Sequence, residues 1–360
     1  MYYKKMFKGI ILAAIPIILL TIPQSIAISI NPITLKDVEI STQKTPFTED
    51  LLIEMLPKVN ESKIYEYVKT IQDFGPHPTQ SSTIENVGNY IFNNFITLGI
   101  QVEYDTWAIN DVSGKNIIAT LQGKSDGIII VTAHYDTIEI SSGADDDGSG
   151  IASILMIAEI MSKYSYFATV KFMIFSGEEI GLLGSKDYAR RASEQNSNII
   201  GVLSIDKVGY ANTADDGKKI RHHADKKSEW MIDISEELSK KYNKQIGLEV
   251  VRLPIDSSSD HKAFVKYGFS GSNLVEESLN PTYHTSEDII DYINITYLAK
   301  VTKLALGITA KMTSLNPILD ENDIKVKIKG SYLSKPALLN INVENKKHSI
   351  DTANVTITIE

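Results

Sequence analysis

The chain has 360 residues, 43% of them hydrophobic and 22% charged, and it contains no cysteine. That size and balance build a folded core, in more than one unit, and the missing thiols exclude disulfides, thiol nucleophiles and cysteine-held metal. The formal net charge of −9 argues against a nucleic-acid partner.

The amino terminus reads as a targeting segment. Lys4, Lys5 and Lys8 precede an apolar run from Ile10 to Ile22 that only Pro16 and Thr21 interrupt, and Ser25-Ile26-Ala27 resembles a small-residue cleavage site. Residues 1–27 are therefore a signal peptide or a membrane anchor. Ile10 to Ile30 is nearly long enough to span a bilayer, while Pro16 and Pro23 favour cleavage. Either fate implies a secreted or extracytoplasmic protein, membrane-anchored in the second case. Residues 28–49 are polar with scattered prolines and read as a linker.

Asp50–Phe74 has helical spacing, with Ile64, Tyr67, Val68 and Ile71 on one stripe, and Gly75-Pro76-His77-Pro78 stops it. Ser82–Leu98 is a second amphipathic helix. Strands follow at Ile100–Ile109 and Asn116–Gln122. Ile128–Asp136 opens with Ile128-Ile129-Ile130-Val131, the pattern of a strand buried on both faces. Helices at Ser149–Tyr164, Leu182–Glu194 and Trp230–Lys241 alternate with strands at Thr169–Ser176, Ile199–Asp206, Glu249–Leu253 and Gly271–Val275, before a closing helix at Tyr292–Leu315. This alternation predicts an α/β fold for residues 50–315: three layers, α/β/α, around a central mixed, mostly parallel sheet. In residues 316–360, Ile324–Lys329, Ala337–Val343 and Asn354–Glu360 alternate apolar and polar with no helix between. They predict a small C-terminal β appendage.

Histidine or acidic residues recur where the predicted strands end: His134, Asp146 in the following loop, Glu178 and Glu179, Asp206, and later His284. Parallel strands bring their carboxyl ends to one edge, so these side chains converge. Two histidines and three carboxylates hold two divalent ions if one carboxylate is shared, and a mixed N/O set suits Zn²⁺. Asp136 shares a strand face with His134 and is placed to accept a hydrogen bond from its second ring nitrogen. Glu178 and Glu179 are adjacent and point apart if extended, so one can ligate while the other serves as general base. Gly143, Gly148 and Gly150 allow the acidic loop to turn tightly. His77, His222 and His223 read as surface histidines. Ser259-Asp260-His261 has the residue types of a serine triad, but three consecutive residues cannot adopt its geometry. Asp288 reads as a helix cap or as a brace for the His284 loop.

Six motifs, in this order, resemble the zinc aminopeptidases of the bacterial leucyl aminopeptidase type, metallopeptidase clan MH, over roughly Ile64 to Met312. They are AHYD, GADDDGSG, FSGEE-x-GLLGS, SIDKVGY, the SSDH loop before Phe264, and YHTSED. The resemblance implies two Zn²⁺ per chain. His134 and Asp206 would be the terminal ligands of one ion, Glu179 and His284 those of the other. Asp146 would bridge them, chosen over Asp145 and Asp147 because it stands three residues before Ser149. It implies Glu178 as general base towards a water held between the ions, and as proton donor to the leaving amine. Tyr283 would help stabilise the oxyanion, and Asp136 would orient His134. The implied function is an exported aminopeptidase acting on peptides with a free N-terminus. A carboxypeptidase or glutaminyl cyclase on the same fold, or a non-catalytic binding ectodomain, are the other readings. The complete ligand set argues against a single-zinc cyclase and against a ligand-free binder. Lys207 departs from the methionine usual after the ligand aspartate, and Pro76-His77-Pro78 lacks the arginine often found near it. Oligomeric state and the preferred N-terminal residue stay open.

Overall fold

The computed structural model describes residues 49–255 and 259–313, with short strand pieces at 38–39 and 327–328. The chain divides into two compact units. In one, Val38–Glu39 pairs antiparallel with Lys327–Ile328, so parts of the expected linker and of the expected appendage contribute to the same unit. The apolar run at 10–22 and the predicted strands Ala337–Val343 and Asn354–Glu360 lie outside the described residues. No described helix is long and apolar enough to cross a membrane.

The larger unit is built on an eight-stranded sheet. Its strands are β1 (Gln101–Ile109), β2 (Val112–Leu121), β3 (Ile128–His134), β4 (Thr169–Phe175), β5 (Ile199–Ile205), β6 (Lys219–Ala224), β7 (Glu249–Pro254) and β8 (Gly271–Glu276). The order across the sheet is β1-β2-β4-β3-β5-β8-β6-β7. The four central strands, β4, β3, β5 and β8, run parallel, so their carboxyl ends share one edge. Antiparallel ladders join β1 to β2, β2 to β4, and β8 to β6, which makes the sheet mixed, as expected.

The described helices are α1 (Glu49–Met55), α2 (Glu61–Asp73), α3 (Ser82–Thr97), α4 (Gly148–Met161), α5 (Leu183–Glu194), α6 (Glu229–Lys241), α7 (Asn243–Ile246), α8 (His261–Lys266) and α9 (Ile295–Thr313). Alternation along β3 divides the core. Ile129, Val131 and Ala133 join a large apolar cluster with α2, α3, α4, α6 and α9, whereas Ile130 joins a smaller one with α5 and α8. Every residue of α4 except Glu159 is buried, as its near-continuous apolar sequence requires. Ser153 and Thr302, 2.9 Å apart, pair where α4 meets α9. The long helix expected over Asp50–Phe74 is interrupted. A 3₁₀ turn holding Pro57 ends the first piece, and the Asn60 side chain caps α2 by accepting from the Lys63 amide.

Three histidines expected at the surface are buried instead: His77, His222 and His223. The last two lie on β6, a strand that the sequence reading missed because Lys219-Ile220-Arg221-His222-His223 has no apolar alternation. Its partners β7 and β8, both distant in sequence, enclose it on each side. Burial pushes His222 and His261 down to about 3 and His77 down to about 4. These rings stay neutral in the folded chain but take up protons near pH 6.5 once unfolded. Stability is therefore full above pH 6.5 and falls as the pH drops from there towards those lowered values, by about 1.4 kcal/mol per pH unit per ring. Replacing His222 by Gln is expected to shrink the stability loss between pH 7 and pH 5 by about 2 kcal/mol in urea unfolding. An unchanged loss would contradict this account.

Candidate metal centre

Every candidate residue named from the sequence arrives from the carboxyl end of a central strand or the loop after it. His134 is the last residue of β3. Its Nδ1 lies 3.0 Å from the backbone carbonyl of Asp136 and 3.8 Å from the Asp136 carboxylate. The carbonyl, rather than the carboxylate expected from the sequence, thus holds the ring. The Asp136 carboxylate, fully buried, instead accepts from the amides of Glu178 (3.1 Å) and Glu179 (3.3 Å) and from the Thr79 hydroxyl (2.8 Å). It ties the end of β3 to the turn after β4 that carries both glutamates. His77 packs under the same corner, its amide donating to the Thr137 hydroxyl at 3.0 Å.

The two glutamates diverge, as adjacent side chains do. Glu178 Oε2 is 4.0 Å from His134 Nε2, whereas Glu179 Oε2 is 3.0 Å from His284 Nε2. His284 itself sits in the left-handed region, at φ 59°, an uncommon state for a residue with a side chain. The Tyr283 ring stacks on its imidazole with centroids 3.8 Å apart.

The acidic loop assigns a different task to each aspartate. Asp145 accepts from the Gly209 amide and from Asn280 Nδ2, both at 2.8 Å. Asn280 in turn accepts from the Thr282 amide and hydroxyl, so Asp145 anchors the loop that ends in His284. Asp147 accepts from the His134 amide with one oxygen and from the Gly150 and Lys207 amides with the other, which caps α4. A side chain at Gly150 would meet the Ile205 carbonyl at 2.2 Å, so only glycine lets α4 start this close to β5. Asp146 is the one left facing the centre. Its Oδ1 is 3.2 Å from His134 Nε2 and its Oδ2 is 3.2 Å from His284 Nε2. Asp288, which the sequence reading offered as a cap or a brace for the His284 loop, braces the acidic loop. It accepts from the Asp145 amide at 2.8 Å and the Asp146 amide at 3.2 Å.

Two ligand groups result. Donor atoms of His134, Asp147 and Asp206 lie within 4.8 Å of one another, as do those of Asp146, Glu179 and His284. Asp147 already spends both oxygens on backbone amides, so Asp146 is the better donor to share between the groups. The residues fit divalent ions. Asp146 Oδ2, Glu179 Oε1 and His284 Nε2 are buried and make no well-aligned hydrogen bond among the described residues, although His284 Nε2 lies 3.2 Å from Asp146 Oδ2 and 3.0 Å from Glu179 Oε2; a cation between such atoms would complete the arrangement. The electrostatics agree. Burial, aided by Asp206, Asp260 and Asp146 against the pull of His134, holds the Glu178 carboxyl well above the usual range. Burial and Asp146 push Glu179 up to about 7. Burial works to raise Asp146, but Lys207 and the two histidines outweigh it and hold it well below the usual range. This crowding of carboxylates is what a divalent cation relieves.

Asp145, Glu276 and Asn280 were not singled out in the sequence. Asp145 and Glu276 are buried carboxylates held by the Gly209 and Tyr210 amides, and nothing in their sequence neighbourhood marks that contact.

A comparison with known proteins agrees with this fold. The model for "Peptidase family M28" matches residues 116–309. Aminopeptidase YwaD of Bacillus subtilis is 31% identical over 205 residues, which covers 52% of this chain and 42% of the relative. The chain spans about half the length of the curated relatives that it matches first. Among solved structures, the LapA aminopeptidase of Legionella pneumophila superposes with a TM-score of 0.67 at 22% identity, covering 78% of each chain. BSAP, a zinc aminopeptidase from Bacillus subtilis, gives a TM-score of 0.64 at 17% identity, covering 70% of this chain and 95% of that one. Motif order, fold and the match over residues 116–309 lead to one assignment: the chain belongs to peptidase family M28.

Proposed function

We propose that this protein is an exported zinc aminopeptidase that removes N-terminal residues from peptides, using two ions per chain. His134 and Asp206 would hold one ion, Glu179 and His284 the other, with Asp146 shared. The observation that carries this reading is the Asp146 carboxylate, 3.2 Å from each of two histidine Nε2 atoms that have separate carboxylate neighbours. When bound, the zinc ions acidify the attacking water and polarise the scissile carbonyl.

The chain's own groups do the rest. Glu178 takes the proton of the attacking water and returns it to the leaving amine. Burial holds its carboxyl well above the usual range, the direction that makes it a stronger base towards water. Tyr283 keeps its proton, because burial pushes the phenol up to about 12, and so can donate to the developing oxyanion. Asp136 fixes the backbone under both glutamates. The carboxylates around the centre favour a substrate with a free α-amine. The names of YwaD and BSAP as aminopeptidases support the reading. The basic residues and apolar run within residues 1–27 support export.

Leucine-, lysine- and alanine-anilides, each with a free or an acetylated amine, test the proposal. We expect release from the free-amine forms alone, lost with a chelator and restored by zinc. No metal-dependent release from any of them would sink the aminopeptidase reading, and cleavage of blocked peptides at the carboxyl end would replace it with a carboxypeptidase.

A further inference from the structure

Lys207 brings a cation into a centre that otherwise gathers anions. Its backbone is pinned at both ends: the amide donates to Asp147 Oδ1 at 3.3 Å, and the carbonyl accepts from the Glu276 amide at 2.9 Å. The residue adopts φ 53°, and its side chain is 22% exposed. The ammonium lies 2.9 Å from Asp206 Oδ1, 3.9 Å from Asp146 Oδ1 and 4.9 Å from the centroid of the Tyr283 ring.

The two carboxylate contacts fall on the same side. Asp146 Oδ1 is the oxygen that faces His134, while Oδ2 faces His284. The ammonium therefore sits closest to Asp206 and to the Asp146 oxygen on the His134 side. An ion at the first group would share Asp206 with a fixed positive charge and be repelled by it; an ion at the second would share only the Asp146 carboxylate with that charge.

We propose that Lys207 sets the two metal sites apart in affinity, weakening the His134–Asp206 site and leaving the Glu179–His284 site tight. This rests on the two-ion reading above. The protein then carries one ion at low zinc and two at higher zinc, so that its loading follows the metal supply.

The test is a zinc titration of the metal-free full chain by calorimetry, with a competing chelator to reach the tight step. The wild type should bind two ions in two resolved steps. Lys207→Met should tighten the weaker step by about 10- to 100-fold, the range usual for groups that act on a metal through its ligands, and leave the tighter step unmoved. Lys207→Gln is a second neutral replacement should the methionine disturb folding, and thermal melts check both. Lys207→Arg keeps the charge and should keep the separation. His134→Ala should remove the weaker step only. Two steps that neither neutral variant moves, or that move together, overturn the inference while the two-ion reading stands. Saturation at one ion or none in the wild type and in both neutral variants overturns the two-ion reading and this inference with it.

Discussion

Glu178→Ala should retain zinc and lose hydrolysis by about 10²- to 10⁴-fold in kcat, the range that a general base supplies. That factor corresponds to about 3 to 5 kcal/mol of barrier. The expectation rests on how the turn after β4 is held. Asp136 takes the amides of both Glu178 and Glu179, so truncating one side chain leaves the backbone and its neighbour in place. Glu179 makes the close approach to the His284 ring at 3.0 Å, while Glu178 stays 4.0 Å from His134. Glu178→Gln should behave like the alanine variant, because an amide of the same shape cannot take a proton from water. Kinetics with metal analysis on the same samples decide the matter. If Glu178→Ala loses zinc while Glu179→Ala keeps it, the two glutamates hold each other's roles. A variant that keeps both zinc and activity removes the base from the scheme.

Asp146→Ala should have the broadest effect, because its carboxylate lies 3.2 Å from the Nε2 atoms of both His134 and His284. We expect zinc content to fall at both sites, activity to drop below detection, and the rise of melting temperature with added zinc to vanish. An ion present at 100 times its dissociation constant stabilises a folded chain by about 2.7 kcal/mol, so the lost increment is readily seen in melts. The neighbours cannot compensate. Asp145 is engaged with Gly209 and Asn280, and Asp147 with His134, Gly150 and Lys207. Their alanine variants should instead lower the melting temperature in metal-free protein, since each removes acceptors from buried amides. Two zinc ions bound to Asp146→Ala at wild-type affinity would show that the shared carboxylate is another residue.

The residue types that gather at the centre, and their order, were legible in the sequence, for a reason of geometry. In an α/β sheet the residues just past the carboxyl ends of parallel strands meet at one edge, so His134, Glu178, Glu179 and Asp206 could be gathered by reading strand ends alone. The alternation of β-branched runs with amphipathic stretches likewise marked β3, β4, β5 and α4, whose burial is nearly complete. Local chemistry sufficed there because each element carries its own period and its own stop.

Tertiary structure alone decided what depends on partners distant along the chain. Three consecutive aspartates are indistinguishable by residue type. Asp146 differs from Asp145 and Asp147 only because amides from Gly209, His134 and Lys207 occupy the other two. Asp136 lies close to His134 in sequence, yet its carboxylate is drawn to amides 42 and 43 residues away, and a carbonyl takes its expected place. His222 and His223 read as surface residues until β7 and β8 close over them. The charge on Lys207 was visible from the start, but its reach to the His134 side of the centre was not, because that reach depends on a backbone bent at φ 53° and held by Asp147 and Glu276. Composition and period determine which elements form and which groups are present. Which group faces the centre is set by the backbone donors that the fold brings to each carboxylate first.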